Sequence, residues 1–162
     1  RIVVVLGVHS MVDQVLLEAV VTGLKGELDS VTVYSEAAER SSGEVADFFR
    51  ERAAEEKRHY NWLLAYHKEL SGGAVPAHNL AAEVFAETKG SPLITPAFAA
   101  ATLLEFGAVA HYRRASEKAQ SPALRDFFAA LSSWEDGHYR ELLRIQDESR
   151  QYWFEAQRFE PF

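Results

Sequence analysis

The chain has 162 residues, 48% of them hydrophobic, with a formal charge of −7, which is enough for one domain with a real core. It has no cysteine, excluding disulfides, cysteine-bound zinc, iron–sulfur clusters and thiol catalysis and suiting a cytoplasmic setting. The acidic balance argues against a nucleic-acid or anionic-membrane surface, and no apolar run exceeds the five residues of 2–6, too short for a membrane span or a secretory signal.

Residues 1–10, RIVVVLGVHS, precede the only methionine, Met11, and read as an N-terminal arm or an extension ahead of a natural start. Ser10 followed by Asp13 resembles a capping box, which predicts a first helix from there to about Ser41. The SSG at 41–43 breaks the pattern. A second helix is expected from Glu44 to about Leu70, ended by Gly72, Gly73 and Pro76. Residues 71–95 form a long connection whose NLAAEVFAET segment suggests a short surface helix. Thr95-Pro96 places a cap before proline and opens a third helix to about Lys118; Ser121-Pro122 repeats the device and opens a fourth, running past Leu143. The aromatic tail at 151–162 is expected to pack on a neighbour or a partner subunit. The expectation is an all-α, four-helix bundle over 11–150, built of two helical hairpins joined by a long crossover.

The two halves match. Glu27 precedes Tyr34 by seven residues and Glu105 precedes Tyr112 by seven; DFF stands at 47–49 and at 126–128; Glu56, His59 and Tyr60 correspond to Glu135, His138 and Tyr139. The offset is 78 before the hairpin turn and 79 after it, so the second turn carries one extra residue while register inside the helices is kept, as in a duplicated hairpin.

Helical residues three apart share a face, so Glu56 projects with His59 and Glu135 with His138. Adding one Glu from each of the first and third helices gives four carboxylates and two imidazoles, a set that can hold two divalent cations in a bundle core. Four glutamates carry −4 and two such cations +4; without metal some carboxylates would have to protonate. Composition alone predicts about 0.7 chance Glu-x-x-His pairs, so one motif would be weak. Two at matching repeat positions are a stronger signal.

The stretches GLKGELDSVTVYSEAAERS to AAEEKRHYNWLL and LLEFGAVAHYRRASEKA to SSWEDGHYRELL resemble the rubrerythrin branch of the ferritin-like superfamily over about residues 20–145. The resemblance implies a ferritin-like bundle in which Glu27, Glu56, His59, Glu105, Glu135 and His138 bind two iron ions, with Tyr34 and Tyr112 hydrogen-bonding ligand carboxylates. Manganese is the alternative metal. It further implies an oxidoreductase acting on peroxide or dioxygen, or a ferroxidase that stores or delivers iron and takes Fe(II) as substrate. A non-enzymatic helical interaction module is a third reading. Rubrerythrins proper carry a cysteine-bound electron-transfer iron that this chain lacks, so a separate electron donor protein is expected, and a homo-oligomer, dimer or larger, is expected too. Rubrerythrins also have an additional carboxylate beside the third-helix ligand. Thr102 and Ala108 flank Glu105 at three residues either side and cannot replace it.

Other residues read as structural. Glu55 points about 100° away from Glu56 and is expected to be exposed. His67 is expected to be partly exposed near a helix end, and His111 to lie off the ligand face. Trp62, Trp134, Phe48, Phe49, Phe127 and Phe128 read as core, with Trp134 also able to shield the site from solvent.

Overall fold

The structure, a computed structural model, describes the backbone of residues 3–71 and 94–158 and the side chains of residues 14–71 and 97–148. Four helices account for nearly all of it: α1 (Val3–Glu39), α2 (Gly43–Ser71), α3 (Ile94–Lys118) and α4 (Pro122–Arg158). The segment expected to form a short surface helix falls outside the described residues. Among the described residues no helix is long and apolar enough to cross a membrane.

The punctuation signals set the starts of α2 and α4 to within a residue, whereas α3 begins at Ile94, two residues ahead of the expected Pro96, so Thr95 lies within the helix. α4 begins at Pro122, and the Arg125 amide donates to the Ser121 carbonyl at 3.0 Å, so Ser121 caps the helix and proline occupies the first turn, where its missing N–H costs nothing. α1 ends with the Ser41 hydroxyl returning to the Ala37 carbonyl at 2.7 Å. Gly43 takes φ 58°, a left-handed conformation that side-chain-bearing residues rarely adopt, and this lets α2 start back along α1. The start of α1 differs further from expectation. α1 extends back to Val3, so Ser10 lies within the helix and does not cap it. No proline interrupts residues 3–10, and nothing local forces a stop. At the other end, α4 runs on to Arg158, through much of the segment expected to be a tail.

α1 packs along α2 and α3 along α4, and the two hairpins meet through α1 and α3. Their apolar residues form two clusters. One gathers Leu16, Val20, Leu24, Leu63, Tyr112, Phe128 and Leu131; the other gathers Val33, Tyr34, Phe49, Phe98 and Leu142. The duplication is visible in their packing: Tyr34 lies 6.1 Å from Phe49, and Tyr112 lies 6.2 Å from Phe128 between ring centroids. Phe49 and Phe128 are fully buried, each worth about 1.5–3 kcal/mol of transfer free energy. Glu27, Glu56, His59, Glu105, Glu135 and His138 are buried as well, a charged layer inside an otherwise apolar bundle.

Candidate metal centre

Each helix delivers one part of the layer: Glu27 from α1, Glu56 and His59 from α2, Glu105 from α3, Glu135 and His138 from α4. Both rings turn Nδ1 inward. His59 Nδ1 lies 2.9 Å from Glu135 Oε1, 3.2 Å from Glu56 Oε2 and 3.7 Å from Glu27 Oε2. His138 Nδ1 lies 2.9 Å from Glu56 Oε1, 3.3 Å from Glu135 Oε2 and 3.8 Å from Glu105 Oε2. Glu56 and Glu135 therefore straddle the centre, each turning one oxygen to each histidine. Two four-donor groups result, Glu27–Glu56–His59–Glu135 and Glu56–Glu105–Glu135–His138, and within each the donor atoms lie within 4.8 Å of one another.

The donors crowd together without satisfying one another. Glu56 Oε1, both Glu135 oxygens and His138 Nδ1 are buried and lack an aligned hydrogen-bond partner, although buried polar atoms are nearly always paired. Burial pushes the Glu27 carboxyl well above the usual range, against the opposing pull of His59. It pushes Glu105 up to about 8, against His138. Burial acts the same way on Glu56 and Glu135, but there the adjacent His138 and His59 rings outweigh it and hold both carboxyls low. The rings themselves would be lowered by burial; the surrounding carboxylates instead push His59 up to about 11 and His138 to about 12. The layer thus favours protons on Glu27, Glu105 and the two imidazoles and holds Glu56 and Glu135 ionised. Protons are standing where cations would.

Two phenols brace the outer carboxyls across the hairpin seam. Tyr34 of α1 donates to Glu105 Oε1 on α3, and Tyr112 of α3 donates to Glu27 Oε1 on α1. Burial, reinforced by the adjacent carboxylates, raises both phenol pKa values, so each keeps its proton and acts as a donor.

Several residues depart from the sequence expectation. Glu55 is half-buried: its Oε2 lies 3.1 Å from His138 Nε2, and Arg52 and Arg58 hold it at 2.7 and 3.2 Å. The 100° offset from Glu56 was correctly read, but α4 lies on that side. The signal that could have found it is the Arg52–Glu55–Arg58 spacing, a carboxylate bracketed by arginines on one helix face. Trp62 and Trp134 are not core: they are 39% and 49% exposed. Their rings stack 5.1 Å apart and cover His59 at 5.5 and 5.4 Å, so Trp134 does shield the centre. Phe49 and Phe128 are buried, while Phe48 and Phe127 are only partly so. His67 is buried because it follows Leu63 by four residues on the inward face, and its Nδ1 lies 3.3 Å from the Ser71 hydroxyl. His111 stays outside the ligand groups, with Nε2 2.9 Å from the Ala19 carbonyl; burial lowers its pKa and leaves the ring neutral. Thr102 is tied to the Phe98 carbonyl at 2.7 Å and to Gln146 at 2.8 Å, and supplies no carboxylate.

The rubrerythrin family model matches residues 18–146, which include all six clustered residues and both phenols. The chain belongs to the rubrerythrin family. Its fold is similar to that of a ferritin-like, diiron-carboxylate protein from Bacillus anthracis str. Ames, at 20% identity and a TM-score of 0.69, covering 83% of this chain and 96% of that one. It is also similar to a hypothetical protein from Pyrococcus furiosus, at 21% identity and a TM-score of 0.67, covering 85% and 91%. No curated protein matches the sequence. Within the rubrerythrin family, a bundle with a buried Glu/His cluster of this composition is a candidate di-iron centre.

Proposed function

We propose that this rubrerythrin-family chain is a di-iron oxidoreductase that reduces peroxide or dioxygen, drawing electrons from a separate donor protein. The observation that carries the reading is the pair of four-donor groups sharing Glu56 and Glu135. Carboxylates offering one oxygen to each side are what two adjacent cations need. The donor set fits iron: carboxylate oxygens and imidazole nitrogens suit Fe(II) and Mn(II), and four ionised glutamates would neutralise two divalent ions. Glu27 and His59 would complete one position, Glu105 and His138 the other. When bound, two ferrous ions supply one electron each, and with two protons these convert hydrogen peroxide to two waters.

The chain's own contribution is positional. Tyr112 and Tyr34 fix the rotamers of Glu27 and Glu105 by donating to one oxygen of each, which leaves the other oxygen for metal. Glu55 accepts from His138 Nε2, so that Nδ1, which faces the carboxylates, would be the nitrogen to give up its proton to a metal. The stacked indoles over His59 keep bulk water from that ring.

The test is an anaerobic Fe(II) titration of metal-free protein followed by peroxide. Saturation at two irons per chain is expected, with oxidation much faster than in a Glu56→Ala/His59→Ala double variant. Saturation at one or none, or equal rates in the two proteins, would sink the reading.

A further inference from the structure

A cleft of about 220 Å³ lies between α1 and α3 and reaches the metal-binding layer. Its walls are mostly carbon or bare backbone: Gly26, Leu103, Leu104, Gly107 and Ala108 line it, and Glu27, Tyr112 and Glu135 form its inner end. At Gly26 and Gly107 an added Cβ would meet nothing within 4 Å, so both glycines border open space. Leu103 is 72% exposed and makes the outer lip apolar. The polar groups nearby are mostly engaged: the Thr22 hydroxyl donates to the Glu18 carbonyl at 2.9 Å, and His111 Nε2 is bound to Ala19. At the inner end stands Glu135, 1% exposed, its oxygens 2.9 and 3.3 Å from the His59 and His138 Nδ1 atoms without an aligned hydrogen bond. The cleft is therefore a path of carbon leading from solvent to a buried carboxylate of the Glu/His layer.

Hydrogen peroxide and dioxygen are little larger than water, whose share of liquid volume is about 30 Å³. A cleft several times that size, lined by leucine and glycine, is built for carbon and would gain from burying it. Resting on the function proposed above, we propose that the α1–α3 cleft binds the apolar substituent of an organic hydroperoxide, whose peroxide group then lies at the Glu135 end. In the reaction the O–O bond breaks. Two electrons, one from each of two ferrous ions, and two protons convert ROOH to the alcohol ROH and one water. The alcohol leaves by the same apolar path.

The experiment has an iron-free arm and a kinetic arm. Metal-free protein is titrated with 2-phenyl-2-propanol, the alcohol formed from cumene hydroperoxide, and the Leu103, Leu104 and Ala108 methyl resonances are followed by NMR. Saturable shifts confined to those methyls are expected, and Gly107→Leu, which fills the cleft, should abolish them. In iron-loaded protein the ratio of kcat/KM for cumene hydroperoxide to that for hydrogen peroxide should fall about tenfold or more in Gly107→Leu, the scale on which apolar pockets discriminate substrates. Gly26→Leu fills the cleft from the opposite helix and should act alike, so that misfolding of one variant does not decide the outcome. No saturable shift in the unsubstituted protein would overturn the proposal, and so would an unchanged ratio in both variants. Absence of shifts together with a dimer that Gly107→Leu dissociates would assign the cleft to a second copy of the chain, which also overturns it. Because the NMR arm needs no iron, its result is independent of whether the centre reacts with peroxide at all.

Discussion

His59 and His138 stand at equivalent places in the two hairpins and meet the same pair of straddling carboxylates, yet their outer faces have nothing in common. Behind His138 lies a charged relay: Nε2 to Glu55, and Glu55 to Arg52 and Arg58. Behind His59 lies aromatic carbon, the Trp62 and Trp134 indoles. The repeat makes the divergence explicit, because Trp134 occupies the position 79 residues after Glu55, and Glu141 the position 79 after Trp62. Each half has an indole where the other has a carboxylate. Duplication kept the inward face, where four helices must agree on one centre, and released the outward face, where each histidine answers only to its neighbours. A ring backed by a carboxylate is a more basic ligand than one backed by indoles, so the two proposed metal positions would be chemically unequal.

The largest effects should come from the residues the halves share. Glu56→Ala or Glu135→Ala removes a donor from both groups and should abolish binding of both metals, whereas Glu27→Ala should retain one metal on the His138 side and Glu105→Ala one on the His59 side. Titration with Co(II), read by its visible spectrum, distinguishes the outcomes. If Glu56→Ala still held one metal tightly, the straddling assignment would be wrong.

Next comes pH. In metal-free protein the raised His59 and His138 contribute stability that is complete below about 6.5 and is lost as pH climbs toward 11–12. The raised Glu105 contributes in the same direction, losing stability between about 4.5 and 8. Glu56 and Glu135, held low, contribute above about 4.5 and lose stability as pH falls. Thermal unfolding with chelator present should therefore peak at about pH 4.5–5 and decline toward pH 9. Metal loading should reverse that alkaline decline and release protons from the groups whose pKa values are raised, Glu27, Glu105, His59 and His138. A flat pH profile for the metal-free protein would contradict the proton arrangement.

Glu55→Gln tests the inequality itself. It should weaken the His138-side metal about 10- to 100-fold and leave the His59 side unaffected, which competition with a metal-sensitive dye would resolve as one changed affinity out of two. Equal weakening of both would erase the distinction. Tyr34→Phe and Tyr112→Phe should each cost about 1–3 kcal/mol in urea unfolding of metal-free protein, since each leaves a buried carboxyl oxygen without its donor. Trp134→Leu should have the smallest effect, about 0.5–1.5 kcal/mol for the lost stacking.

The bundle and the two Glu-x-x-His pairs were legible because helical periodicity and an internal repeat both act along the chain, while Glu27 and Glu105 were singled out as ligands by the family resemblance. Glu56 predicts His59 by spacing, and both predict Glu135 and His138 by the repeat. Glu55 was not legible as a partner of His138, because that contact runs between helices and depends on how α2 and α4 are rotated about their axes. Trp62 and Trp134 misled for a related reason: large aromatic residues favour interiors on average, but these two cover a buried ring from outside. Ser10 carried a capping signal that the continuing helix of α1 overrode, since a cap motif permits a start without enforcing one. The α1–α3 cleft reflects absent side chains at Gly26 and Gly107, and from sequence a glycine in a helix does not say whether it faces a neighbour, solvent or a void.

Because Glu56 and Glu135 both enter each four-donor group, neither hairpin holds a full metal position. During synthesis the first hairpin emerges with Glu27, Glu56 and His59 in place and must wait 79 residues beyond Glu56 for Glu135 to arrive. Capture of the proposed metals would thereby be tied to a contact of high sequence separation, among the slow events of folding. A nascent chain stalled before α4 would hold a half-built centre of two carboxylates and one imidazole, and metal loading would mark the point at which the last helix has docked.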